Sequence, residues 1–346
     1  MKIRELGQFG LIDRLAKMVR DSRDESAPAW QELIVGIGDD CAAWHGDTDI
    51  QLAHVDCQVE GTHFRREYGT WEELGWKAMA VITSDIAAMG GSPRYALISL
   101  NLRDDMDVAS VTDLYKGMIQ MAKETGIAIV GGHISGASLF SVTVTVTGSA
   151  RGSILLRSAA KVGDRIAVTG DLGGAAAYVE MLENKLGFNP EAASSFKKAF
   201  LHPVPRIAEG HILVEEGIKA CMDISDGILS DLKHICRASK VGARIDAGSV
   251  PVNPEVRDCY GRRALELAIG GGEDYELLFT GTPEAIEKVS ARSTTPVTVI
   301  GEIVADHAGE VIVVDGSGKP LSLTMSGWDH FTRPANPDRQ RFTEHD

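Results

Sequence analysis

The spacing of apolar residues along the chain predicts a mixture of helices and strands. Three segments repeat apolar residues at intervals of three or four, the period of an amphipathic helix; they are 1–20, 70–89 and 108–125. Residues 140–148 alternate Val and Thr at period two, which favours a strand. Further strands are predicted at 33–35, 50–56, 95–102 and 127–130. The polar segment 21–32, which contains Pro28, predicts a loop.

The second half of the chain continues this mixture. Residues 165–169 predict a strand, which leads into a glycine-rich turn at 170–174 and an alanine-rich helix. Late apolar runs predict strands at 277–280, 297–301 and 311–314. With 346 residues, the chain is long for one core and suits two domains. We place the join at 151–163, which divides the chain into 1–150 and 151–346.

Aspartates recur in segments of small residues, and each segment lies beside apolar sequence. The segments are Gly36-Ile37-Gly38-Asp39-Asp40, His54-Val55-Asp56, Ser84-Asp85 and Asp223-Ile224-Ser225-Asp226. Adjacent carboxylates repel one another unless a proton or a cation lies between them. One such pair alone is better explained as a solvated turn, and Asp85 alone could bond to nearby backbone amides. The repetition favours a shared cation site.

Carboxylate oxygens are hard ligands that suit Mg²⁺, which also binds substrate phosphates and water. The candidate ligands are Asp40, Asp56, Asp85, Asp223 and Asp226. Asp223 and Asp226 share a face if their segment is helical. Asp231 follows them closely, and we expect it to face solvent.

Two glycine-rich segments follow predicted strands. A turn such as 170–174, between a strand and a helix, either binds phosphate through its backbone amides or allows tight packing. The second segment, 131–136, follows the strand at 127–130. The chain lacks a Walker lysine motif and the His-Arg-Asp and Asp-Phe-Gly motifs, so the common nucleotide-kinase frames are excluded. Phosphoryl transfer through bridging metal ions stays open, because it needs mainly positioning and charge neutralisation.

The overall charge narrows the classes of partner. A formal net charge of −14 argues against broad contact with nucleic acid or an anionic membrane, both of which need clustered Lys and Arg. No apolar run approaches the length of a membrane span. Five scattered cysteines, with no Cys-x-x-Cys spacing, predict reduced thiols and a cytoplasmic protein.

Seven short segments, in order and over nearly the whole chain, carry a resemblance to a known family. They are Gly36–Asp40, Val59–Phe64, Ser84–Gly90, Arg157–Ala160, Met222–Gly227, Gly271–Leu277 and Gly327–Phe331. Together they resemble the thiamine-monophosphate kinase family. Its superfamily includes aminoimidazole ribonucleotide synthetase, selenophosphate synthetase and a hydrogenase maturation factor.

The resemblance implies an α+β fold of two domains, with mixed and antiparallel sheets flanked by helices. It implies phosphorylation of thiamine monophosphate to thiamine diphosphate by direct in-line transfer, with ATP as co-substrate and several Mg²⁺ ions. It also implies a homodimer formed through the N-terminal domains.

Site roles follow from the same resemblance. The five aspartates named above are implied as Mg²⁺ ligands. The implied nucleotide contacts are Gly132, His133, Arg157, Ser225 and Tyr115. The implied contacts to the thiamine substrate are His63, Glu273 and Trp328, whose aromatic ring can stack on a cationic heterocycle. Judged without the family, His63 fits a structural histidine better, and Trp328 fits a half-buried core residue equally well.

Two segments depart from the family pattern. His133-Ile134-Ser135 follows Gly131-Gly132 where the family usually has Asp-Thr-Thr, and His54-Val55 precedes Asp56 where it has hydroxyl residues. Imidazole is a poor ligand for Mg²⁺ but can hydrogen-bond a phosphate. The Gly-Gly-His segment also resembles selenophosphate synthetase, but that enzyme's N-terminal Cys or selenocysteine loop is missing. The alternatives left open are a kinase for another acceptor, such as α-ribazole, and a non-catalytic nucleotide-binding regulator.

Overall fold

The computed structural model describes residues 1–35, 43–44, 50–324 and 327. Within them the helices are α1 (Ile3–Asp21), α2 (Pro28–Glu32), α3 (Trp71–Ala88), α4 (Val108–Thr125), α5 (Gly174–Glu183), α6 (Pro190–Leu201), α7 (Ile207–Glu215), α8 (Ile228–Ser239), α9 (Pro254–Tyr260), α10 (Ala264–Gly270) and α11 (Pro283–Arg292). The strands are β1 (Leu33–Val35), β2 (Ala43–Trp44), β3 (Ile50–Val59), β4 (Ser92–Leu102), β5 (Ala128–Gly136), β6 (Ser141–Ala150), β7 (Arg165–Thr169), β8 (Ala220–Asp223), β9 (Gly242–Asp246), β10 (Leu277–Gly281), β11 (Val297–Val304) and β12 (Val311–Val314). Short 3₁₀ turns include 157–159.

The strands within these ranges build two large mixed sheets. The first has the order β3-β6-β4-β5, antiparallel except for the parallel pair β4–β5. The second has the order β12-β9-β11-β7-β10-β8, antiparallel except for β12–β9. Helices α3 and α4 cover the first sheet, and α8 and α11 contact the second. The predicted α+β class is confirmed.

Helix α3 connects the two sheets. Its start is specified locally by a capping box, in which Thr70 Oγ1 accepts from the Glu73 amide and Glu73 Oε2 accepts from the Thr70 amide. Almost every residue after the first turn is buried, because the helix packs on β3, β4 and β6 and also against α6, α7 and β8. One buried apolar cluster therefore includes residues of both halves, and the boundary at 151–163 stays a prediction.

Two glycines set the close approach of α3 and α4. A Cβ atom at Gly75 would lie 1.9 Å from the backbone oxygen of Leu114, and one at Gly117 would lie 1.8 Å from that of Glu72. Neither site has room for a side chain, so the two backbones touch directly. This contact holds α3 firmly beneath the first sheet.

The structure corrects the predicted elements in three places. The loop predicted at 21–32 contains helix α2, which begins at Pro28, a residue suited to the first turn. The strand at 127–130 continues to Gly136, so Gly132 and His133 belong to a strand and not to a turn. Asp223 ends strand β8 and Asp226 lies in the turn before α8, so no helix joins them. In the part of the chain that is described, no helix is long and apolar enough to cross a membrane.

Candidate active site

Three of the predicted metal ligands meet where α3, β3 and β8 come together. Asp85 lies in the last turn of α3, Asp56 lies on β3, and Asp223 ends β8. His54, two residues before Asp56, places Nε2 3.3 Å from Asp85 Oδ2. Asp56 is oriented by two donors, the Cys57 amide at 2.7 Å from Oδ1 and Gln58 Nε2 at 2.9 Å from Oδ2.

The electrostatics of this cluster are those of carboxylates without enough counter-charge. Burial, and after it the negative charges of Asp223 and Asp56, raise the pKa of Asp85 to about 8, although Arg157 acts to lower it. Burial likewise raises the pKa of Asp223. A carboxylate held protonated in this way is ready to exchange its proton for a cation.

The donor set fits a divalent cation bound together with phosphate. Oxygen ligands from a few carboxylates, completed by water and phosphate, are what Mg²⁺ takes. Among the described residues, no group of three or more His, Cys, Asp or Glu side chains is arranged to enclose a metal ion by itself. The assignment of these carboxylates as metal ligands, and the convergence of all five, therefore stay predictions.

Arg157 supplies positive charge beside these carboxylates. It lies in the 3₁₀ turn 157–159, is exposed, and lowers the pKa of both Asp85 and Asp223. The turn is held by Ser239, whose Oγ donates to the Arg157 carbonyl oxygen at 2.8 Å. An exposed guanidinium next to carboxylates suits a phosphate chain that bridges them.

Asp231 corrects an expectation, since it is buried and not solvent-facing. It is 1% exposed, and its Oδ2 accepts from the backbone amides of Ser225, Asp226 and Gly227 at 3.0–3.2 Å. Burial and the charges of Asp223 and Asp226 raise its pKa, while the amides of Asp226 and Gly227 lower it. Its position in the first turn of α8 is the signal that could have identified it, because amides there have no partner within the helix.

The turn that carries Ser225 is also bonded to the loop at 271–276. The amide of Glu273 donates to the Ser225 carbonyl oxygen at 2.8 Å, and the amide of Tyr275 donates to that of Ile224 at 2.8 Å. Tyr275, in this loop, is buried. Burial raises its pKa most, and the negative charges of Glu273, Asp56, Asp223 and Asp85 raise it further. Glu273 therefore lies near the cluster, and its contact with the thiamine substrate stays a prediction.

The sequence analysis did not single out Lys77, which lies against the same loop. It is buried in α3, and its ammonium group donates to Glu273 Oε2. A lysine on the apolar side of a helix pattern is the signal that could have identified it, because a buried charge needs a partner.

Gly132 and His133 lie away from the cluster within one chain. The register joins Cys57, Thr143, Ser99 and His133 in one row across the first sheet. Neighbours in such a row share a face, and successive residues of a strand point to opposite faces. His133 is thus on the face opposite Asp56 and on the other edge strand, and we call this the outer face.

Two further predicted substrate contacts, Tyr115 and His63, are buried or hydrogen-bonded within the protein itself. Tyr115 is buried in α4, and burial raises its pKa, so the structure does not bring it to the acidic cluster. His63 is half-buried, and its Nδ1 accepts from the Val59 amide at 3.0 Å. Asp40 and Trp328 lie outside the described residues.

The glycine-rich turn at 170–174 is organised by a protein carboxylate. Asp274 Oδ1 accepts from the Gly173 amide at 2.9 Å. A Cβ atom at Gly173 would lie 2.9 Å from the backbone nitrogen of Ala268. Of the two alternatives for this turn, tight packing is favoured over phosphate binding.

The fold and the acidic site together define a class of protein. A family model described as "AIR synthase related protein, N-terminal domain" matches residues 38–150, and one described as "AIR synthase related protein, C-terminal domain" matches 161–314. Within that class the chain belongs to the thiamine-monophosphate kinase family. The resemblance carried by the seven segments is confirmed.

Known relatives match along nearly their whole length. The thiamine-monophosphate kinase of Escherichia coli (strain K12) is 36% identical over 336 residues, which cover 95% of this chain and 99% of the relative. A crystal structure of thiamine-monophosphate kinase from Stenotrophomonas maltophilia K279a is 31% identical, with a TM-score of 0.78 over 90% of this chain and 96% of the other. A structure described as AaThiL complexed with AMPPCP and TMP is 32% identical, with a TM-score of 0.74 over 96% and 99%.

Proposed function

We propose that the protein uses ATP to phosphorylate thiamine monophosphate, which yields thiamine diphosphate and ADP. The observation that carries the proposal is the carboxylate cluster of Asp56, Asp85 and Asp223 beside Arg157, in a chain of this family. The similar structure with AMPPCP and TMP supports both substrates. An acidic protein can hold a triphosphate only if cations or guanidinium groups offset the charge.

The chemistry is a direct transfer between two phosphates. An oxygen of the acceptor's phosphate attacks the γ-phosphorus of ATP, the bond from that phosphorus to the β,γ-bridging oxygen breaks, and ADP leaves with that oxygen. Divalent cations, when bound, neutralise the charge on the phosphates. Asp56, Asp85, Asp223 and Asp226, together with Asp40, are the residues that would hold them.

The protein's own groups orient the substrates. The Arg157 guanidinium binds phosphate oxygens, and Asp231 keeps the turn at Ser225 in place through three backbone hydrogen bonds. Glu273 and Trp328 contact the cationic thiamine. His63, which follows the end of β3, is the third contact to this substrate. Such positioning supplies much of the rate in phosphoryl transfer.

We also propose that two copies pair through the outer face of the first sheet. Val55 and Leu97, both paired with Thr145, are 57% and 40% exposed on this face. A row of exposed apolar side chains on a sheet is typical of an interface. Because His133 lies on the outer face, a second copy would cover its side chain, and its role towards ATP belongs to that pair. Gly132, one residue earlier on the strand, belongs to the row of Asp56.

The free cysteines among the described residues, Cys57, Cys221, Cys236 and Cys259, support a reducing compartment. We therefore propose that the enzyme works in the cytoplasm.

The test is an acceptor comparison with purified protein, ATP and Mg²⁺. We expect thiamine diphosphate and ADP in equal amounts with thiamine monophosphate, and no transfer to α-ribazole. Transfer to α-ribazole and not to thiamine monophosphate would show that the proposed acceptor is wrong. ATP binding without transfer to either would favour the regulator.

A further inference from the structure

The side chain of Lys77 is buried among an aromatic ring and a carboxylate, whereas most lysines lie in solvent. Its side chain is 2% exposed, and Nζ lies 3.1 Å from the centroid of the Phe200 ring while it donates to Glu273 Oε2. An ammonium group removed from water in this way is costly unless it is paired and hydrogen-bonded. The Glu273 carboxylate and the ring face of Phe200 are the groups that compensate for that cost.

Glu273 is the member of this ion pair that solvent or a ligand can reach. Its side chain is 27% exposed, whereas that of Lys77 is closed to solvent. Its backbone has φ +66°, a left-handed conformation that a non-glycine residue keeps only when its surroundings hold it there. The bond from its amide to the Ser225 carbonyl oxygen and the ion pair to Lys77 provide that hold from two directions.

Helix α3 sets the distance between this pair and the acidic cluster. Asp85 follows Lys77 by eight residues, which corresponds to about 12 Å along a helix axis. The cluster at Asp85 belongs to the phosphate end of the site. The pair at Lys77 is therefore suited to the other end of an extended acceptor that carries its phosphate at one end and a cationic ring further along.

We propose that Lys77 is a positioning residue for the acceptor. By holding Oε2 of Glu273, it leaves Oε1 in a fixed orientation to pair with the cationic thiazolium ring of thiamine monophosphate. The advantage is preorganisation, because a carboxylate that is already oriented loses little side-chain freedom when the ligand binds. The inference rests on the proposed function, in which Glu273 contacts the acceptor, and Lys77 itself does not touch it.

Equilibrium binding to two ligands tests the role of Lys77. We expect Lys77→Met to weaken binding of thiamine monophosphate about tenfold, the size of effect expected for one charge-assisted contact, and to change the Kd of a non-hydrolysable ATP analogue less than about twofold. Apolar neighbours, including Leu74, Leu114 and Phe140, can accommodate the methionine. Lys197→Met is the matched control, because Lys197 also pairs with a glutamate of α3, Glu73, at 2.7 Å. It should leave both Kd values unchanged.

A double-mutant cycle with Glu273→Gln separates positioning from a general effect on the fold. If Lys77 acts through Glu273, Lys77→Met changes the acceptor Kd by less than about twofold once Glu273 is already Gln. Additive losses, an unchanged acceptor Kd in Lys77→Met, or equal losses for both ligands would overturn the proposal. Should Lys77→Met not fold, Phe200→Leu removes the ring that packs against the ammonium group, so that Lys77 holds Glu273 less firmly in place. That variant should weaken acceptor binding alone, by a few-fold, and unchanged acceptor binding would overturn the proposal.

Binding is measured without turnover, so the two proposals fail differently. Wild-type protein that binds thiamine monophosphate but transfers no phosphoryl group would overturn the proposed function, and the Lys77 comparison would still be decided by the Kd values. Wild-type protein that does not bind thiamine monophosphate would overturn both.

Discussion

His54 Nε2 lies 3.3 Å from Asp85 Oδ2, and this contact joins the edge strand β3 to the last turn of α3. It brings the residue that departs from the family pattern directly onto a predicted metal ligand. Asp85 also responds to the charges of Asp56, Asp223 and Arg157. Asp85 is thus the carboxylate that lies close both to Asp56 of the first sheet and to Asp223 of the second.

Replacing Asp85 removes one carboxylate charge from the cluster that it forms with Asp56 and Asp223. We expect Asp85→Asn to lower kcat for phosphoryl transfer by a hundredfold or more, at roughly 2.7 kcal/mol of lost transition-state stabilisation. Product formation with saturating ATP, Mg²⁺ and thiamine monophosphate measures it. The control is Asp113→Asn, which changes a partly exposed aspartate of α4 that pairs with Lys116, and it should retain full activity. Near-normal turnover in Asp85→Asn would remove Asp85 from the site.

Asp231 offers a test of stability. Asp231→Ala leaves the buried turn at Ser225–Gly227 without its acceptor, and we expect the free energy of unfolding to fall by about 2–4 kcal/mol. Asp231→Asn keeps an acceptor oxygen and should cost less. Chemical denaturation of both variants measures the difference. Equal stability of Asp231→Ala and wild type would show that water replaces the carboxylate.

Acidic pH should destabilise the protein through His202. Burial lowers the pKa of this imidazole in the fold, where its ring packs beside Trp76. The unfolded chain then binds a proton near pH 6.5 that the folded chain does not, so stability is present above pH 6.5 and falls as the pH drops below it. Thermal midpoints between pH 7.5 and 5.5 should fall less in His202→Gln than in wild type.

The control for that series is His307→Asn. His307 is exposed, and asparagine tolerates its left-handed backbone, φ +58°. Its pH profile should match that of wild type. Parallel profiles for His202→Gln and wild type would assign the acid sensitivity to other groups.

Two equally exposed valines test the proposed dimer. Val55 and Val162 are each 57% exposed, but only Val55 lies on the outer face of the first sheet. A charge introduced into an apolar interface has to be desolvated, so Val55→Asp should dissociate the dimer and Val162→Asp should not. Light scattering coupled to size-exclusion chromatography measures the mass. A dimer that survives Val55→Asp contradicts the proposed face.

Tyr115 separates a core role from a nucleotide contact. Because the residue is buried in α4, Tyr115→Phe should leave the KM for ATP within about twofold of wild type. A selective increase in that KM would restore Tyr115 to the nucleotide site. The measurement is an ATP titration at saturating acceptor.

Local patterns were sufficient for much of the fold. The alternation of Val and Thr predicted β6, and apolar spacing predicted α3 and α4 within a few residues of their observed ends. These features depend on side-chain periodicity and capping, which act between residues near in sequence. The loop predicted over Pro28–Glu32 was wrong, because the polar composition hid a single helical turn.

The acidic segments by themselves indicated a cation site, since repeated carboxylates beside apolar sequence need a shared partner. Which of them meet was decided by tertiary packing. Asp85 joins Asp56 and Asp223 because α3 packs between the first sheet and β8, and Lys77 meets Glu273 for the same reason. His133 is separated from them by strand order and register. The burial of Asp231 likewise depends on a turn folding back over it, because the desolvation of a charge is a property of the folded surroundings and not of the residue.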